Sequence, residues 1–326
     1  MQNVHKENKT LDIFKVLACV IVTPAHLPSI CSTVAGDVYY NQWFLRFCVP
    51  FFFICSGYFF CGSAKKEKNL KRIAWLFALS YLLYLPAVLE GAQSFGNVVS
   101  KLRWNLLIGY EHLWYLSAAF EAMILWYLLE KIPVIRDLFR RLAFPGCVLL
   151  FLTGALLDEH YHLLNNPILT AAGDFLMVFG GPRNVVFMGF PLMIFGGYIY
   201  RHQDTLRKIP TVVLLGLWVL LRGLAYWECT YLYQNLGASF TADMTFFGSL
   251  PALVLFLLSF RFEIPVPIGI SRLLRRMTEY VYILHPLVAT LISKYLHLEP
   301  IPLWIATVAM CSCLYYLLEK QFVIKK

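Results

Sequence analysis

Runs of about 17 to 25 mostly apolar residues, each closed by charged or turn residues, recur along the whole chain. A helix needs roughly 20 such residues to cross a bilayer's hydrocarbon, at about 1.5 Å per residue. Ten runs are read, at Leu11–Thr33, Gln42–Cys61, Lys71–Leu89, His112–Glu130, Leu142–Leu157, Asn184–Tyr200, Pro210–Trp227, Thr245–Phe260, Thr278–Leu296 and Ile301–Lys320. The fifth is short and contains glycine, and Val98–Ile108 reads as a helix lying flat at the membrane surface. With 59% hydrophobic and 14% charged residues, a chain of 326 residues has too little polar surface for a soluble domain. The expectation is an all-α integral membrane protein, a single transmembrane domain over residues 1–326 with about ten transmembrane helices. The start, MQNVHKENKT, is polar and leads straight into a full span, so no cleavable signal peptide is expected, and no internal repeat is visible.

Charge orients the bundle. With both termini cytoplasmic, 21 of the 28 basic residues fall on six inner segments, from Lys6 and Lys9 through to Lys320, Lys325 and Lys326. Only Lys101, Arg103 and Arg183 are left outside, and Lys15, Arg46, Arg222 and Lys294 lie within spans. That asymmetry is the positive-inside pattern of a multi-pass plasma-membrane protein. The net charge of +9 reads as topology and contact with anionic membrane lipids. Its spread over six segments argues against nucleic acid as a partner. The nine cysteines include no CxxC pair and suggest neither a metal site nor a disulfide framework, although Cys31 and Cys229 both fall toward the outer side and could bridge.

The first span, TLDIFKVLACVIVTPAH, carries the sharpest chemistry. Lys15 and His26 are eleven residues apart, which on a regular helix puts them on one face about 16 Å apart. Pro24 removes a helical donor and frees the carbonyl near Val20. His26 is either a group lining a polar site within the bundle or a ring snorkelling at the outer interface. Glu121 lies about two turns into the fourth span, on the face of Trp114 and Ser117, where a carboxylate must pair, line water or be neutral. The segment from Asp158 to Arg183 holds acids and imidazoles at spacings that repeat no ligand pattern, so a solvated loop is expected and no metal. Arg183–Asn184 beside Gly180–Gly181–Pro182 is a candidate contact for an anionic or hydroxylated small molecule. Ser56–Gly57 reads as a place where a neighbouring helix approaches closely.

Five segments in this order resemble the acyltransferase-3 family of ten-helix membrane acyltransferases. They are Asp12-x-x-Lys15 with Lys15-x10-His26, VPFFFICSGY at Val49–Tyr58, HLWYL at His112–Leu116 and YILHP at Tyr282–Pro286. HLWYL together with GPRNVVFMGFPLMIFGG at Gly181–Gly197 further resembles the membrane half of the serine racemases linked to vancomycin resistance. The chain stops at Lys326, so a pyridoxal-phosphate racemase half is not expected in it.

The resemblance implies transfer of an acyl group, most simply acetyl, from cytoplasmic acyl-CoA to a hydroxyl or amine of an envelope glycan or small-molecule acceptor. A histidine suits this chemistry because its near-neutral pKa lets it accept the acceptor's proton as the thioester is attacked. The expected catalytic residues are His26, Glu121 and Asp12. The donor side is expected to hold Lys15, Lys68, Lys71, Arg72 and His285, with Lys68-x-x-Lys71 standing where the family has a double arginine. Arg46, Arg103, His112, Trp114 and Arg183 are expected on the acceptor side. Acetyl-CoA would be a substrate, with no tightly bound cofactor. Two other readings stay open: a carrier for a small amino acid such as serine, and a non-catalytic partner of a separate enzyme. The oligomeric state is open too, a homo-oligomer included.

Overall fold

A computed structural model describes residues 8–238, 240 and 243–324 of the chain. It is helical, with no strand among the described residues. In chain order the α-helices are α1 (Lys9–Val22), α2 (Val34–Val38), α3 (Cys48–Gly62), α4 (Lys66–Leu89), α5 (Phe95–Ile108), α6 (Trp114–Lys131) and α7 (Pro133–Asp158). They continue as α8 (Pro167–Val178), α9 (Phe190–Arg201), α10 (Gln203–Leu206), α11 (Thr211–Leu236), α12 (Pro251–Leu258), α13 (Ile268–Tyr295) and α14 (Pro300–Ile324).

Each of the ten apolar runs contains a helix, but they are not ten equal spans. Among the described residues six helical stretches are long and apolar enough to cross a membrane: Val34–Gly62, Lys66–Leu89, Glu111–Lys131, Pro133–Asp158, Thr211–Leu236 and Pro300–Leu318. The fifth run, expected to be short, is the 26-residue α7. The other four runs are α1 with 14 residues, the stretch Val185–Arg201, α12 with 8 residues, and α13, whose basal half carries Arg272, Arg275 and Arg276. Large apolar side chains stand exposed along α4 and α11, among them Trp75, Leu79, Leu82, Val212 and Val219, which suits faces turned to lipid.

The first run does not continue to Thr33. Pro24 has no N–H and crowds the carbonyl four residues back, so α1 ends at Val22 and the chain tightens into a 3₁₀ turn over Thr23–His26. The carbonyls this leaves open are taken up by neighbours: Trp304 Nε1 donates to Val20 O at 3.0 Å, and the Tyr40 hydroxyl to Ile21 O at 3.3 Å.

The bundle's centre is the crossing of α3 and α9. A Cβ on Gly57 would sit 1.9 Å from Met193 O, and one on Gly196 would sit 2.1 Å from Ile54 O, so the two backbones touch where side chains are missing. Phe51, Phe53, Ile54, Phe60, Trp126, Leu192 and Met193 fill the core around that contact.

The basic connections meet at one end of the bundle. There Lys66 pairs with Glu130, Arg201 lies 3.7 Å from Glu130, and Lys131 lies 3.9 Å from Glu67. The foot of α1 is plugged into the link between α12 and α13, with Asn8 Nδ2 donating to Ser259 O and Thr10 Oγ1 to Phe262 O. Lys6, Lys325 and Lys326 lie outside the described residues, as does the side chain of Lys320. Cys31 and Cys229 are free thiols. Cys229 is buried against Val38, Leu232 and Phe240, so the bridge considered between them is not formed.

Candidate functional site

Two polar regions lie along α1, α6 and α13, one at the basic end and one around His26. The first is a cavity of about 1260 Å³. Among the described residues six cationic side chains line it, Lys9, Lys15, Arg72, Arg207, Arg261 and Arg275, against the four acids Asp12, Asp204, Glu263 and Glu279, which makes that wall net positive. Arg72 reaches across from α4 to pair with Glu279 on α13. Lys15 lies 3.9 Å from Asp12 and over the Phe59 ring.

On α4 the cavity is met by Asn69, Arg72, Ile73 and Leu76, the i, i+3, i+4, i+7 stripe of a helix face. Lys68 and Lys71 each precede a stripe residue by one position, about 100° round the helix, and are exposed outside the cavity. Of the expected donor contacts, then, Lys15 and Arg72 line it and Lys68, Lys71 and His285 do not. Sequence reading missed Arg207, Arg261 and Arg275. The signal was there, since Arg207 and Arg261 lie in the basic connections before α11 and after α12 and Arg275 lies in the basic first half of α13.

The second region is a cluster of three imidazoles. The His26 ring centre lies 5.7 Å from that of His112 and 5.2 Å from that of His285, and the latter two are 5.2 Å apart. The 3₁₀ turn presents His26, the turn before α6 presents His112, and the middle of α13 presents His285. His26 is exposed on one side, whereas His112 and His285 are buried at 2% exposure each.

Carbonyls fix the tautomers of the buried rings. His285 Nδ1 lies 2.9 Å from both Val281 O and Tyr282 O, and a carbonyl can only accept, so Nδ1 carries the hydrogen and Nε2 holds a bare lone pair. His112 Nε2 meets Ile283 O at 3.3 Å by the same logic, leaving Nδ1 as the acceptor. Neither His285 Nε2 nor His112 Nδ1 has a hydrogen-bond partner among the described residues. Among those residues no three His, Cys, Asp or Glu side chains are placed to hold a metal ion.

The two regions are one side chain apart. Tyr282 lines the cavity, its ring lies 5.5 Å from that of His112, and its hydroxyl donates to the His112 carbonyl. Tyr115 stands beside it at 5.6 Å, with its hydroxyl 2.9 Å from Ser56 Oγ. Lys15 therefore lines the cavity while His26 lies beyond this partition, because the turn at Thr23 rotates His26 off the face the regular helix would have given it. His285, expected on the donor side, belongs to the imidazole cluster.

Two expected catalytic acids are elsewhere. Both oxygens of Asp12 are engaged at the foot of α1, by Ser271 Oγ at 2.7 Å and by Arg275 at 3.1 and 2.9 Å. The length of α1 and its turn puts them about 20 Å from His26, so Asp12 anchors α1 to α13 and cannot orient that ring. Glu121 is bonded by Ser117 Oγ at 3.3 Å, and the same hydroxyl meets the α5 carbonyl of Leu107 at 2.9 Å. That face lies about 200–240° round α6 from Tyr115, which turns Glu121 away from the imidazoles.

Beside the cluster, Arg183 lies over the Trp114 ring at 5.2 Å. Arg183 and Arg46 both reach Asp243, at 3.3 and 2.7 Å. Arg103 is exposed on α5, outside both regions.

A polar cavity and a set of imidazoles, two of them held by carbonyls, lie among apolar helices long enough to cross a membrane. The family defined by the acyltransferase domain matches residues 8–319, and the chain belongs to this acyltransferase-3 family. It is similar to two amino-acid racemases of Enterococcus faecalis. One is 28% identical, over 90% of this chain and 43% of the relative, and the other is 25% identical, over 65% and 31%. It is also 29% identical to a serine/alanine racemase of Enterococcus gallinarum, over 77% of this chain and 36% of that protein. The chain thus spans less than half the length of these curated relatives, whose names speak of racemisation and not of uptake. No solved structure matches it.

Proposed function

We propose that this chain is a plasma-membrane acyltransferase with both termini in the cytoplasm. It takes an acyl group, acetyl in the simplest case, from acyl-CoA at the basic end and passes it to a hydroxyl or amine at the histidine end. Family membership supports acyl transfer. The observation that carries the two-sided reading is the imidazole cluster, with two buried bare lone pairs one tyrosine away from a net-positive cavity.

In the reaction the acceptor oxygen or nitrogen attacks the thioester carbonyl. Its bond to the acyl carbon forms as the carbon–sulfur bond breaks, and coenzyme A leaves as the thiolate. His26, the ring open to the surface, takes the acceptor's proton and returns it to that sulfur. The lone pairs of His112 and His285, on rings 5.7 and 5.2 Å from that of His26, share that proton while their other nitrogens stay held by carbonyls. Lys15, Arg72 and Arg207 hold the donor's phosphates, where lysine acts as a point charge and arginine as a fork. The acceptor is a glycan or other small molecule of the cell envelope, and Arg46, Trp114 and Arg183 contact it.

The test uses the full chain in proteoliposomes with radiolabelled acetyl-CoA on the side of the basic loops. Label should pass to added or endogenous hydroxyl or amine acceptors in the wild type and not in His26→Gln. Equal transfer by the two proteins would sink the assignment.

A further inference from the structure

The ion-pair cluster of Arg46, Arg183 and Asp243 is more than a loop fastening. Asp243 bridges: Oδ1 takes Arg46 Nη1 at 2.7 Å and Oδ2 takes Arg183 Nη1 at 3.3 Å. Two guanidiniums share the Asp243 carboxylate, with buried Asp158 close enough to act on both Arg46 and Asp243. Arg46 is steadied by the Gln42 side-chain carbonyl, which accepts from its Nε at 3.0 Å and from Nη2. Arg183 lies 5.2 Å over the Trp114 ring, two residues from His112, and within electrostatic reach of the His26 ring. Both cations are therefore oriented by groups other than Asp243.

The backbone that delivers Asp243 has its own anchors. Met244 N donates to buried Asp158 at 2.6 Å, and Phe246 N and Phe247 N donate to buried Glu228 at 2.7 and 2.8 Å. The Asp243 side chain can turn away without the loop coming loose. Its partners are partly exposed, at 23% and 37%, and such ion pairs are weak enough to exchange.

We propose that this cluster is an oxyanion site: a carboxylate or phosphate group on the acceptor replaces the Asp243 carboxylate between Arg46 and Arg183. This rests on reading the histidine end as the acceptor's end, and it narrows the acceptor to molecules that carry an oxyanion beside the reacting hydroxyl or amine. Asp243 acts as a built-in competitor that neutralises the site while it is empty.

Binding is measured directly, so the result does not depend on transfer. The full chain in nanodiscs is dialysed to equilibrium against radiolabelled glucuronate, glucose 6-phosphate and glucose, which differ in the group offered to the guanidiniums. One or both anions should bind and glucose should not, and whichever anion binds tells carboxylate from phosphate. Asp243→Asn should tighten anion binding about five- to tenfold, and Arg183→Gln, which keeps the Arg46–Asp243 pair and the fold, should weaken it by a similar factor. Glucose binding as well as the anions, no binding by any probe, or Asp243→Asn loosening the anions would each overturn the site. Loss of transfer reading alone, with anion binding intact, would instead count against the acyltransferase mechanism.

Discussion

The cavity at the basic end and the imidazole cluster beyond Tyr282 draw on the same three helices and handle polarity in opposite ways. In the cavity α1 contributes Asp12 and Lys15, α6 contributes Tyr115, and α13 contributes Arg275 and Glu279, and full charges persist by pairing. In the cluster the turns beside α1 and α6 contribute His26 and His112 and α13 contributes His285, and the N–H groups of the two buried rings are spent on carbonyls. Ion pairs suit a space wide enough for water and a large anion. Carbonyl-held imidazoles suit a dry spot where a proton is to be passed without leaving an unpaired charge. On the proposed reading, the difference separates where a substrate is held from where a proton is moved.

The largest effect expected from breaking that separation is on the proton side. His285→Gln removes the lone pair and keeps a side chain of similar reach, and on the transferase reading should lower the transfer rate about 10²- to 10⁴-fold, as for loss of an acid–base group. His26→Gln should fall in the same range. The donor's KM should stay near the wild-type value in both, because neither ring lines the cavity. A raised KM with an unchanged rate would place His285 back among the donor contacts.

The scaffold shared by the two regions comes next. Gly57→Ala would force a methyl into the Met193 carbonyl at the crossing of α3 and α9. The expected loss is about 1–3 kcal/mol, the usual range for overpacking. It should appear as a lower melting temperature by fluorescence-detected size exclusion, with donor and acceptor functions lost together. A selective loss of one function would mean the crossing serves only one region.

Gly57 was legible in the sequence because a small residue in an apolar run has few other uses, and the apolar runs themselves were legible from length and pattern. So was the open carbonyl near Val20, set by the ring of Pro24 alone. What depended on how one helix rolls against another was not legible. His112 and His285 stand far apart in sequence, and only the packing of α6 beside α13 and the tightening at Thr23 bring them to His26. The face shared by Lys15 and His26 assumed a regular helix that Pro24 interrupts. Asp12 stands out as part of the Asp12-x-x-Lys15 opening and Glu121 as an acid in an apolar run, signals that cannot tell an anchor from a catalyst. Nothing local in the sequence marks Asp243 as the partner of two arginines.

On the donor side a smaller effect is expected. Arg72→Gln and Arg207→Gln should each raise the KM for acyl-CoA about fivefold to tenfold and leave the rate at saturation nearly unchanged, the signature of lost ground-state binding. Added salt should narrow the gap to wild type, since exposed charge contacts are screened.

The smallest effect decides which face of α4 reads the donor. Lys68→Gln and Lys71→Gln remove the cations that the sequence pattern put first, yet both point away from the cavity that Asn69 and Arg72 line. Each should shift the acyl-CoA KM by less than about twofold, the reach of a distant, screened charge. Moving the cation by one position sharpens the point: Asn69→Lys with Lys68→Gln keeps the net charge and turns it about 100° into the cavity wall. That double variant should bind donor at least as well as wild type. If Lys68→Gln alone costs as much as Arg72→Gln, the donor lies across the outside of α4, and the cavity, for all its positive wall, is not where the phosphates rest.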